Sequence, residues 1–181
     1  MRPGMLGRGV IIAFAFGCAA LSLQCESKDA RSLSTPFVEL EAPRDSRNTH
    51  IPRVTYEPII CLELVNPATK KSMKCFGYLD TGADQCFITK ELADRLGLKP
   101  DGQPPHEMQT GSGTISLDST VVEYALNDPD GEAVKGFPTQ SAPFFIQEGW
   151  LPADVVLGSI GFLDRFKEVR ISYPKQITLL W

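Results

Sequence analysis

The chain has 181 residues, 43% of them hydrophobic and 22% charged, with a formal net charge of -4. That length supports one globular domain and is short for two full-sized ones, and the mildly acidic balance leaves no electrostatic footprint for nucleic acid. The 5 cysteines and 2 histidines follow no zinc-ligand spacing, so neither a metal nor any other cofactor is expected.

Arg2 and Arg8 precede an uncharged stretch in which Val10 to Phe16 is strongly apolar and Gly17, Cys18, Ala19 and Ala20 are small. A basic start, an apolar run shorter than the roughly 20 residues that span a bilayer, and a small-residue end describe a secretory signal peptide over residues 1–24. Two other readings stand beside it. Gly17-Cys18 offers a lipoprotein cleavage site, and the segment can stay attached as a signal anchor that tethers the domain to a membrane. Each reading places the domain outside the cytoplasm, periplasmic or secreted. Residues 25–53 shift to Ser, Arg, Asp, Glu and Pro with scattered apolar residues, which reads as a linker or loosely ordered arm. His50 within it reads as a surface residue.

The domain proper is expected over residues 54–181. Ile59 to Val65 is a predicted strand, Asn66-Pro67-Ala68-Thr69 a turn, and Ser72 to Leu79 the returning strand. With the turn centred near Ala68, Cys61 and Cys75 fall opposite each other. In an oxidising compartment a cross-strand disulfide is one reading of that pair and two buried thiols the other. The second strand delivers Asp80 to the turn Asp80-Thr81-Gly82-Ala83-Asp84, and a short apolar strand around Cys86 to Ile88 leaves it. Asp80 offers a proton acceptor or donor, Thr81 a stiff β-branched hydroxyl, and Gly82 a sharp turn with close backbone approach. Asp-Thr-Gly is also ordinary turn chemistry, so its weight comes from the strands around it. Cys86 reads as a small buried residue, since no base is signalled near it.

Thr89 can cap a short helix with Glu91 in its first turn and Leu92 and Leu96 on one face; Gly97 supplies the left-handed stop and Leu98 the apolar contact beyond. After a Pro- and Gly-rich loop, Met108 to Thr110, the turn Gly111-Ser112-Gly113, and Thr114 to Leu126 read as a hairpin. Asp118-Ser119-Thr120 fails as a second acidic turn because no glycine follows, and Asp118 reads as solvent-facing. Asn127 to Gly131 is a turn rather than a calcium loop. Strands follow at Ala133 to Phe137 and Phe144 to Gln147. Asp154 to Gly158 is a buried strand leading into a short helix, and Val169 to Tyr173 with Gln176 to Trp181 form a closing hairpin.

Tyr78-Leu79-Asp80-Thr81-Gly82-Ala83-Asp84 resembles the active-site loop of retropepsin-like aspartic proteases. The helix over Glu91 to Leu98 and the strand ending in Gly158 resemble that family more loosely. The resemblance implies a mostly β fold, a small acid-protease closed barrel with one or two short helices, and an endopeptidase in which two chains each contribute one Asp80. Two carboxylates held close share a proton, one serving as base while the other serves as acid. One Asp-Thr-Gly per chain therefore implies a symmetric homodimer. Thr81 would brace the pair and Gly82 would donate backbone N–H to the carboxylates. Asp84 would bind the main chain of a peptide or protein substrate, and Gly111 and Gly113 would sit at the tip of a mobile flap over it. Ser159 stands where viral members carry an arginine. Ala83 brings no hydroxyl donor to the carboxylate, and a mildly acidic to near-neutral optimum is expected. The reading from a different class is a non-catalytic binding or scaffold module with the same fold.

Overall fold

The structure, a computed structural model, describes residues 31–41, 54–110, 113–149 and 151–181. The expected leader lies outside them. The elements run β1 (Ser32–Pro36), β2 (Val38–Glu41), β3 (Val54–Glu57), β4 (Ile59–Val65), β5 (Ser72–Leu79), β6 (Phe87–Thr89), α1 (Lys90–Leu96), β7 (His106–Thr110), β8 (Gly113–Leu117), β9 (Ser119–Leu126), β10 (Gln140–Gln147), β11 (Val155–Leu157), a 3-10 turn at Leu163–Arg165, β12 (Glu168–Ser172) and β13 (Gln176–Leu180). Six strands close a barrel in the order β10-β6-β11-β5-β4-β9. The mostly β closed barrel with one short helix is the expected fold class.

Alternation explains the barrel wall. Along β4, Ile60, Leu62 and Leu64 are fully buried while their odd-numbered neighbours are half-exposed, the period of two that a sheet with one covered face requires. Tyr124, Phe144 and Phe162 fill the interior, with the Tyr124 hydroxyl donating to the Gly161 carbonyl at 2.7 Å. The helix forms where expected. Thr89 accepts from the Leu92 N–H, and Gly97 at φ 72° ends the helix with the Leu98 N–H returning to Ala93, a Schellman stop.

Four expectations need correction. First, strands form inside the segment read as a linker. β1 pairs antiparallel with β13 from Ser32 opposite Leu180 to Pro36 opposite Gln176, and it buries Leu33 and Thr35. The alternation Ser-Leu-Ser-Thr is too short to stand out, yet in the sheet β1-β13-β12 it brings Leu33 into the core with Ile177 and Leu179; β2 pairs with β3. Second, Cys61 pairs with Phe76 and Cys75 with Leu62. A one-residue offset sends the two side chains to opposite faces, and both thiols are free. Third, the second arm of the expected hairpin is two strands. β8 pairs with β7, whereas β9 joins the barrel between β4 and β10; Asp118 separates them, exposed, its carbonyl accepting from Ile146 N–H at 2.8 Å. Fourth, Ala133 to Phe137 makes only one bridge, Asn127 to Ala133, because Gly136 at φ 80° turns the chain there.

Leu33→Ala is expected to cost about 2–4 kcal/mol, and a chain starting at residue 54 should unfold at a clearly lower urea midpoint than one starting at residue 31. Equal midpoints for the two chains would mean that β1 only decorates the barrel.

Candidate active site

Strands β5 and β6 follow each other in sequence but are not neighbours. β11 lies between them, parallel to β5 and antiparallel to β6. The seven residues 80–86 must therefore pass over the end of β11, and the backbone of that turn is satisfied by it. Asp80 N–H donates to the Leu157 carbonyl at 3.0 Å, Ser159 N–H to the Ala83 carbonyl at 2.8 Å, and Ile160 N–H to the Asp84 carbonyl at 2.9 Å. Gly158 has no room for a side chain. A Cβ there would collide with the Gln85 carbonyl oxygen and lie 2.7 Å from that of Ala83.

Within this frame Asp80 is half-buried and Thr81, Gly82 and Asp84 are exposed. Gly82 N–H donates to Asp80 Oδ1 at 2.8 Å, and Ala83 N–H to the Asp80 carbonyl at 3.2 Å. The carboxylate is thus oriented by a backbone donor while the residue keeps partial access to solvent. Gly113 is exposed at φ 131° at the start of β8, opposite Thr110; Gly111 lies outside the described residues. The β7–β8 hairpin is a separate two-stranded sheet, and the His106 ring at its base stands 5.2 Å from that of Phe145 on β10. Two cavities, of about 430 and 320 Å³, lie by the β4–β5 turn and between α1 and β8, and Asp80 lines neither.

Cys86 is fully buried directly behind the turn. Its Sγ accepts from Gly158 N–H and donates to the Ile160 carbonyl, both at 3.4 Å, so the thiol ties the end of β11 to the start of β6. Burial pushes it up to about 11, and a protonated thiol is no nucleophile. Burial first, then the Asp154 and Cys61 charges, push Cys75 up to about 12.

Sequence reasoning missed two residues beside Asp80. Leu79 N–H donates to the Pro58 carbonyl at 2.8 Å, which brings Glu57 to the end of β5, close to the Tyr78 hydroxyl. Burial, followed by the Glu57 and Asp80 charges, pushes that hydroxyl up to about 12. The signal was the Glu-Pro step before β4, which reads in sequence only as a strand boundary.

Residues 77–159 match the family model described as aspartyl protease. The crystal structure of a retropepsin-like aspartic protease from Rickettsia conorii superimposes with a TM-score of 0.50 at 19% identity, over 86% of this chain and 94% of that one. No curated protein matches at a significant level. The fold is therefore retropepsin-like. The matched segment holds Asp80, the end of β5 and all of β6 and β11, and the resemblance to retropepsin-like aspartic proteases is borne out; the match to the aspartyl protease model supports a protease function.

Gly158→Ala should cost about 1–3 kcal/mol, since backbone oxygens rather than a movable side chain oppose the new methyl; an unchanged urea midpoint would contradict the packing described. The buried thiols set a second expectation. Unfolded thiols ionise near 9 while Cys75 and Cys86 in the fold do so at about 12 and about 11. Above pH 9 the unfolded chain binds fewer protons than the folded one, so stability is fully present below pH 9 and falls as pH rises toward 11–12. Urea unfolding of reduced protein at pH 8 and pH 10.5 should show a lower midpoint at the higher pH, with a smaller drop in a Cys75→Ala variant. An equal drop in the variant would remove Cys75 from the account.

Proposed function

We propose that this protein is an aspartic endopeptidase, outside the cytoplasm, that acts as a symmetric homodimer with Asp80 of each subunit at the axis. The observation that carries the reading is a half-buried Asp80 carboxylate, oriented by Gly82 N–H in a turn fixed to β11, within the segment that matches the aspartyl protease family. One carboxylate per chain is half of an acid–base pair. Placed against its counterpart it shares a proton, since two carboxylates in contact do not both ionise. The ionised member takes a proton from water as that water attacks the peptide carbonyl. The protonated member gives its proton to the carbonyl oxygen, and the tetrahedral species collapses with proton transfer to the departing amine. Thr81 braces the pair, Asp84 holds the substrate main chain, and the β7–β8 hairpin with Gly111 and Gly113 at its tip closes over the peptide. The edge strand β12, with Ile171 and Tyr173 exposed near its end, offers a surface on which two subunits meet.

Asp80→Asn should lower kcat for a peptide substrate by about 10³-fold while leaving the sedimentation coefficient that of the wild-type dimer. Wild-type activity should peak at mildly acidic to near-neutral pH. Equal cleavage by the two proteins, or a wild-type chain that stays monomeric at assay concentration, would leave the fold as a binding module.

A further inference from the structure

Resting on the endopeptidase reading, we infer that Glu57 sets substrate preference, with its carboxylate receiving a lysine or arginine side chain of the peptide beside the scissile bond. Three observations converge on it. Glu57 is held next to the catalytic strand by the register of the barrel. Ile59 pairs with Tyr78, and Leu79 N–H donates to the Pro58 carbonyl at 2.8 Å, so the residue before Pro58 lies at the level of Asp80, next to Tyr78.

Tyr78 stands two residues before Asp80. Along β5 the residues Cys75, Gly77 and Leu79 are buried, whereas Phe76 is exposed and Tyr78 half-exposed. The outward face of the strand therefore runs from Phe76 through Tyr78 toward Asp80. The Tyr78 hydroxyl, kept protonated by burial, stands within reach of the charges of both Glu57 and Asp80.

The third observation concerns charge. None of the ion pairs among the described residues includes Glu57, Asp80 or Asp84. A phenol hydroxyl satisfies one lone pair of a carboxylate and leaves its charge in place. A half-buried carboxylate in no ion pair among the described residues, near an aromatic ring, is chemistry that receives a cation: the carboxylate takes the charge-assisted hydrogen bond and the ring face takes the stem and part of the charge. In a symmetric dimer the feature occurs twice, so a basic residue is favoured on either side of the scissile bond. An acidic residue there meets Glu57 and Asp84 of like charge and is rejected.

The test pairs two peptides differing at one position near the cut, lysine in one and norleucine in the other. With wild-type protein, kcat/KM for the lysine peptide should exceed that for norleucine by about tenfold, the size of one charge-assisted hydrogen bond in a partly solvated site. Glu57→Gln should bring the ratio near one, and Glu57→Lys should favour a glutamate peptide over the lysine one. Tyr78→Phe keeps the ring and the Glu57 charge and should retain most of the ratio. A ratio near one in wild type, or one unchanged by Glu57→Gln, overturns the assignment. Binding of the same labelled peptides to Asp80→Asn protein, followed by fluorescence anisotropy, separates this from the catalytic reading. A Glu57-dependent lysine preference in binding supports the assignment even where no peptide is cut, and equal affinities overturn it.

Discussion

The structure turns on one insertion, that of β11 between two strands consecutive in the chain. Because β5 and β6 cannot pair with each other, the residues between them have no hairpin ladder. Their backbone groups must be satisfied by whatever lies between the strands. Leu157, Ser159 and Ile160 supply that, and the approach is close enough to require glycine at position 158. An acidic side chain at the start of such a turn is carried on a frame fixed at both ends, which is what an oriented carboxylate needs. The same insertion explains why the site is built from residues some 75 positions apart in sequence, as the Ser159-to-Ala83 and Ile160-to-Asp84 bonds are.

Around that frame, burial sorts the ionisable groups into two kinds. Cys75 and Cys86 lie inside, where losing water disfavours the thiolate, and their chemistry is packing and weak hydrogen bonding. Asp80 and Glu57 are half-buried and Asp84 is exposed. The nucleophile-bearing side chain nearest the turn is thus silenced by the same packing that holds the turn, and the reactive character of the region is left to carboxylates.

Much of this was legible in the residues, because local signals coincide with the long-range outcome. Asn66 and Pro67 mark the β4–β5 turn, and Asn66 accepts from Ala68 and Thr69 N–H as its sequence suggests. Thr89 and Gly97 mark the ends of α1. Where sequence reasoning failed, the deciding contact lay far along the chain. Ser32 to Pro36 is a strand only because β13 offers an edge, and nothing within five polar and small residues announces it. The offset between Cys61 and Cys75 depended on the residue on which the β4–β5 turn centres, and in a sheet one residue exchanges the faces. Thr114 to Leu126 alternates throughout, yet β8 and β9 belong to different sheets, and periodicity carries no record of which partner each half meets. Glu57 was passed over for the same reason, since its neighbour Tyr78 is 21 positions away.

The segments ahead of the barrel therefore belong to the working part of the molecule. β1 seals the core through β13, and the Phe37 and Tyr56 rings flank that of Tyr173, at 5.5 and 6.2 Å, in the turn joining β12 to β13. That packing ties the β2–β3 ribbon to the closing hairpin, so β3 enters β4 from a fixed direction. Register then does the rest: with Ile59 opposite Tyr78, Glu57 stands on the half-exposed, odd-numbered side of the chain. A slip of one residue between β4 and β5 would turn Ile60 outward and take Glu57 from Tyr78. The core residues of the barrel, by fixing that register, fix the charge beside Asp80 as well.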